Sequence, residues 1–248
     1  VLASGGSLAL QVANTLHNEG NISSETLALE AGHIDNGGAL VSKRALVLQT
    51  GDLINRGHWQ SDQGITLTAS RLLNSGSWIS GLAQSLTLGE LDNSGTLQSG
   101  STMTLTAQHL DSRGKLLANQ DMSLTADEII LESDSTTASN GRLTLNAADV
   151  SSAGMLSAAD DLSWQGQRFN HRGKTVTDGA LRLEGETLTL DGALQGGAIA
   201  LDTNSLTTGG SLNSQDNLVV NARGAVHHGG QLQGGNLVLT SASWQGAG

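Results

Sequence analysis

A leucine-bearing unit returns about every nineteen residues along this chain, and that period leaves few folds open. Counted from the second aliphatic of each Leu-x-Leu pair, the anchors are Leu10, Leu29, Leu48, Leu67, Leu88, Leu105, Leu124, Leu145, Trp164, Leu183, Leu201, Val220 and Leu239. The intervals are 19, 19, 19, 21, 17, 19, 21, 19, 19, 18, 19 and 19 residues. Such a period signals stacked coils that touch only their neighbours, rather than one or two globular domains.

Each coil repeats a template. A second aliphatic follows the anchor at plus five, as in Ile34, Leu53, Leu72, Leu110, Ile129, Val150, Phe169, Leu188, Leu206 and Trp244. Plus seven is polar and often Asn, with Asn18, Asn36, Asn55, Asn74 and Asn93 forming a run of five coils. Glycine holds plus nine from Gly20 to Gly230, interrupted by Ser133. A large apolar residue sits at plus eleven, including Leu40, Trp59, Trp78, Leu116, Leu156, Leu194 and Leu212. Two coils carry one extra residue (around Leu16 and Val226), and the coil at Leu91 reads as two residues short. The glycine column fits a backbone position that needs positive φ or is too tight for a Cβ. Stacked asparagine amides can bond to one another along the column.

Apolar residues alternate with Ser, Thr, Gln and Ala over short runs, such as Leu-Thr-Leu-Thr. This is the period of strands with one buried face, and no segment sustains a helical period. Proline is absent, where average usage of roughly 5% predicts about a dozen. Proline cannot donate to a sheet ladder, so its absence suits strands paired on both edges. One Phe, four Trp and no Tyr leave Leu, Ile, Val and Ala to fill the interior.

The expected fold is therefore all-β, a right-handed parallel β-helix of about thirteen 19-residue coils. Each coil supplies two or three short strands, and equivalent residues stack at roughly 4.8 Å. A lone coil cannot fold, because ordering its backbone costs more than burying about five large aliphatics returns. Right-handed winding follows from the chirality of parallel crossovers. The chain opens at Val1 and stops at Gly248 inside repeats. Residues 1–248 are thus expected to be a single array cut from a longer protein, with any export signal outside it.

Net charge is −11, which argues against nucleic acid or an anionic membrane surface as partner. No apolar run approaches the length of a membrane span, so no membrane insertion is expected. Cysteine is absent, excluding disulfides and thiolate metal sites.

The search for chemistry is short. The histidines (His17, His33, His58, His109, His171, His227 and His228) fall at several phases and read as exposed turn residues rather than metal ligands. Glu184 with Asp202, and Glu128 with Asp149, share a phase in consecutive coils and should lie side by side. No flanking Lys or Arg group completes a site around them. Trp59 and Trp78 share a phase between leucines and are expected to stack in the core. A bulging loop is expected within residues 129–140, where the template loses its Gly and its plus-eleven apolar residue; it is the preferred place for a partner contact. The basic stretch from Arg168 to Lys174 reads as a solvated turn. No catalytic, cofactor-binding or metal residues are assigned, and no cofactor is expected.

The unit resembles the nineteen-residue repeat of filamentous haemagglutinin. Clear copies are Leu46-Val47-Leu48 with Leu53-Ile54-Asn55-Arg56-Gly57-His58-Trp59, and Ile65-Thr66-Leu67 with Leu72-Leu73-Asn74-Ser75-Gly76-Ser77-Trp78. The same repeats build the shafts of contact-dependent growth inhibition exoproteins and haemagglutinin/haemolysin-like adhesins. The resemblance implies a secreted protein of the bacterial cell surface, exported through an outer-membrane two-partner-secretion transporter. It also implies a filament that presents adhesive regions or a C-terminal toxin to a receptor or glycan on a target cell. The family's amino-terminal secretion domain and toxin module are not recognisable in this chain. A structural shaft is the favoured reading; the alternative is a carbohydrate-binding or polysaccharide-degrading β-helix.

Overall fold

A computed structural model describes residues 1–246, so Gly248, the far limit of the expected array, lies outside the described residues with Ala247. Every regular element is a strand paired in parallel with its equivalent one turn away, and no helix occurs among the described residues. The architecture is a β-solenoid of about thirteen turns of about nineteen residues. The chain forms two compact units, Val1–Asp121 and Met122–Gly248.

In the first unit a turn consists of a long strand such as Leu46–Asn55 and a short one such as His58–Ser61. From Met103 to Ser152 the long strand is divided, first into Met103–Thr106 and His109–Ser112, giving three strands per turn, and it is continuous again at Leu162–His171, Ala180–Leu190 and Ala198–Thr208. Alternation puts Leu46, Leu48 and Leu53 inside and Val47 and Gln49 outside, because successive side chains point to opposite faces. Near Gly51 the alternation slips by one residue and the strand bends.

Register settles the template. Leu10, Leu29, Leu48, Leu67, Leu86 and Leu105 are successive Cα partners. The anchor of the fifth coil is therefore Leu86, not Leu88, which stacks on Ala69. The intervals of 21 and 17 become 19 and 19, and the coil at Leu91 is of ordinary length. Alternation could not choose, since Leu86 and Leu88 both point inward on Gln84–Asn93. The extra residue of the first coil is absorbed as a register shift between Val12 and Thr15.

The second unit stacks Leu124, Leu145, Trp164, Leu183, Leu201, Val220 and Leu239 in the same way. The expected bulge within residues 129–140 is narrower than the sequence suggests. Glu128–Leu131 and Thr136–Ser139 are regular strands in register with Asp149–Ser152 and Met155–Ala158. The two additional residues are confined to the turn between them, closed where the Ser135 amide donates to the Glu132 carbonyl at 2.9 Å. Thr137, fully buried, takes the place of the missing apolar residue. Because Thr136 pairs with Met155, Ser135 rather than Ser133 stands below Gly154 in the glycine column.

The glycines are required by proximity, not by φ. No glycine among the described residues has a positive φ. A Cβ on Gly57 would overlap the carbonyl oxygen of Gly38, and one on Gly76 would overlap that of Gly57. Trp59 and Trp78 are fully buried and stack with ring centroids 4.7 Å apart and planes 11° apart.

Candidate functional site

The interior polar columns are structural. Nδ2 of Asn18 donates to Oδ1 of Asn36 at 2.7 Å, Asn36 to Asn55 at 2.9 Å, Asn55 to Asn74 at 2.7 Å, and Asn74 to Asn93 at 2.8 Å. Asn93 ends the run on the Ser112 hydroxyl at 3.0 Å. All five asparagines are buried, so each turn is tied to the next through amides that have no access to water. A second column went unnoticed in the sequence. Ser24, Ser42, Ser61, Ser80 and Ser99 are buried and in register. Their hydroxyls serve the following corner; Ser99 Oγ, for example, lies 2.8 Å from the Thr102 carbonyl oxygen. The same nineteen-residue spacing could have revealed them.

The outer faces carry ion pairs that reach one turn back and one pleat along. Arg56 meets Asp35 at 2.5 Å, Arg113 meets Asp92 at 3.5 Å, Arg182 meets Asp161 at 3.1 Å and Arg223 meets Asp202 at 2.8 Å. The carboxylate pairs fall in register as expected, Glu184 beside Asp202 and Glu128 beside Asp149. Contrary to the sequence reading, arginines do flank them. Asp202 is engaged by Arg223, and Asp149 accepts from Arg168 at 2.9 and 2.5 Å. No group of three metal-ligating side chains occurs among the described residues.

The histidines divide. His17 is exposed beside Glu19 and Asp35, both at 3.3 Å, and His58 Nδ1 lies 2.6 Å from the Ser77 hydroxyl. His171 is a correction, because it is fully buried rather than an exposed turn residue. It occupies the column that holds Asn in the first unit, between Ser152 and Leu190. Nε2 lies 3.3 Å from the Thr175 hydroxyl, and Nδ1 makes no hydrogen bond of ordinary geometry. Burial draws its pKa down to about 4, with backbone groups of Ala193 and Gly173 offsetting part of the effect. The Arg168-to-Lys174 stretch is likewise no simple solvated turn, since Leu162–His171 is a strand and Phe169 is core.

A groove lies at the strand bend of the first unit. One wall is the stack Gln11, Glu30, Gln49, Thr68 and Thr87. Asp52, Arg71 and Glu90 line the groove's second part together with Thr68 and Thr87. Gly32, Gly51, Ser70 and Gly89 lie at the bend, where a Cβ on Gly51 would come 2.6 Å from the Gly32 oxygen. The groove holds about 700 Å³ along Gln11 to Gly51 and about 620 Å³ along Asp52 to Gln108. Gln11 Nε2 donates to Glu30 at 3.1 Å, and Arg71 faces Glu90 at 3.4 Å.

The haemagglutinin repeat family matches the chain over residues 1–88, 80–147, 110–166, 138–206 and 194–243. No curated protein and no solved structure is significantly similar to it. The family is a structural, adhesin-type one associated with secreted or cell-surface proteins. Those overlapping matches run through the same turns whose leucine, asparagine and glycine columns stack in space, and the chain belongs to the haemagglutinin repeat family.

Proposed function

We propose that this chain is a shaft segment of a large exoprotein on the bacterial surface, a filament that presents adhesive regions or a C-terminal toxin to other cells. Residues 1–248 form a single repeat array within that protein. Its export runs through an outer-membrane two-partner-secretion transporter, and its role is mechanical rather than catalytic. The observation that carries this reading is the one-to-one stacking of turns within each unit. Leucine rests on leucine and amide bonds to amide from Asn18 to Asn93, which favours stiffness over a moving site. Outer carboxylates engaged by arginine, such as Asp35, Asp149 and Asp202, support a non-catalytic surface. Absent cysteines suit passage through an oxidising compartment, since no disulfide can form in transit.

The test is immunolabelling of unpermeabilised cells that carry the gene, with antibodies raised against residues 1–248. Surface label that external protease removes, and that disappears when the cognate transporter is deleted, is the expected result. Label found only after permeabilisation overturns the proposal.

A further inference from the structure

The short strands of each turn form a face unlike the rest of the surface. In the first unit they run from Asn21–Ser24 to Lys115–Ala118, each four residues long and matched one to one with no register shift. Their first and third residues point outward, and their second and fourth point inward. None of the chain's 23 acidic residues stands at any of these outward positions. The same holds in the second unit, from Thr136–Ser139 to Gln231–Gln233. The carboxylates lie on the long strands and in the turns, as Glu30, Asp52, Asp92 and Asp160 do. His58 aside, the ionisable side chains of this face are Lys115 and Lys174. Chains of net charge −11 repel one another through every face that carries carboxylates, and this face is the exception. Depletion of charge also marks the centre of protein–protein contacts.

We propose that two copies of this chain pair side by side through their short-strand faces, as an isologous dimer with both copies pointing the same way. The relief of the first unit's face is self-complementary. Its third positions carry Val41, Gln60, Ile79, Gln98 and Leu117, and its first positions include the smaller Ala39, Ser77 and Thr96. A partner related by a two-fold axis along the stacking direction lays its larger file over the smaller one and receives the same in return. Sheets packed face to face stand about 10 Å apart. Six strands of four residues present roughly 380 Å². The second unit offers a like face, and the two areas sum to about the ~800 Å² per partner of a stable contact. Either face by itself is half that size, so pairing of this chain is weak and depends on concentration. The assignment stands on these faces alone and does not depend on how the parent protein is exported or what it carries.

The experiment is sedimentation equilibrium of residues 1–248 over a range of protein and salt concentrations. A monomer–dimer equilibrium is expected, and it tightens as salt screens the repulsion between acidic chains. Ile79→Glu and the nearly isosteric Gln98→Glu each bring two carboxylates into the contact, one from each copy, and weaken dimerisation about tenfold or more. Thr68→Glu, on the long-strand face, makes the same change of charge and leaves dimerisation nearly unchanged. Far-ultraviolet circular dichroism checks that each variant is folded, and Gln98→Glu, at an exposed position, decides the matter where Ile79→Glu does not fold. A monomer at every concentration overturns the assignment. Association weakened by salt also overturns it, because that result sets Lys115 against a carboxylate-bearing face. Association indifferent to both face substitutions does the same, since it places the contact elsewhere, as at the exposed Leu237 and Leu239.

Discussion

Asn55 donates through Nδ2 to Oδ1 of Asn74 at 2.7 Å, and neither side chain has appreciable contact with water. Asn55 also accepts from Asn36, so it is an interior rung with a neighbour on each side. An amide bond in this setting matters less for its own strength than for what its loss leaves behind. A buried donor or acceptor without a partner carries its full desolvation cost.

Asn55→Ala should therefore destabilise the chain by about 2–4 kcal/mol, the sum of two broken rungs and two orphaned groups. Asn18→Ala, at the end of the ladder, should cost about half as much, since only one rung is lost. Urea unfolding midpoints of the two variants check the ordering. Equal and small effects would show that the amides are not coupled.

Gly57→Ala places a methyl group against the Gly38 carbonyl and should cost about 1–3 kcal/mol. Gly5→Ala meets nothing within 4 Å and should be neutral or slightly stabilising through the unfolded chain. Because neither glycine has positive φ, the contrast isolates crowding from backbone conformation. Thermal unfolding of the pair reads it directly.

The stacked indoles of Trp59 and Trp78 should give a coupled near-ultraviolet circular dichroism signal. Trp59→Leu copies the residue below it in the column, Leu40, and removes that signal. It should cost about 1–3 kcal/mol, because leucine leaves part of the indole volume empty. A near-ultraviolet spectrum that merely loses one quarter of its intensity would contradict the coupling.

His171 makes the second unit sensitive to acid. The unfolded chain takes up its proton near the ordinary value of about 6.5, whereas the folded chain resists until about 4. The unfolded state therefore binds more protons in that window, and stability falls as pH drops from about 6.5 to about 4. The full loss is about 3 kcal/mol. His171→Leu, matching Leu190 above it, should flatten that slope. Asp35 is pulled upward by burial but brought below its usual range by Arg56 and His17. Asp161 is brought low by the Ala180 amide, with Arg182 adding to it. Both give stability that is lost only below their ordinary value of 3.8, outside the histidine window. Unfolding at pH 7 and pH 4.5 with and without the substitution separates these contributions.

Much of the fold is legible in the sequence because each turn repeats the same few environments. Leu48, Asn55 and Trp59 return at one spacing as Leu67, Asn74 and Trp78, and each group has a single physical reason to be there. The serine column from Ser24 to Ser99 obeys the same spacing, but serine is common elsewhere in the chain and does not stand out. Arg168 lies directly in register with Asp149 one turn on, whereas Arg223 reaches Asp202 diagonally, one turn back and one pleat along, a relationship that repeat spacing does not display.

The period, the parallel pairing and the identity of the core columns follow from the order of residues alone, since only stacking can bury an apolar face that recurs every nineteen positions. Tertiary structure decided what depends on distance between turns. It set Leu86 over Leu67, enclosed His171 between Ser152 and Leu190, and showed the glycines to be governed by a neighbouring carbonyl rather than by their own φ. It also bent the long strands near Gly51, leaving depressions lined by polar residues of successive turns such as Gln11, Glu30 and Gln49. Strand alternation assigns a side chain to a face, whereas only the path of the backbone determines whether that face is flat or concave.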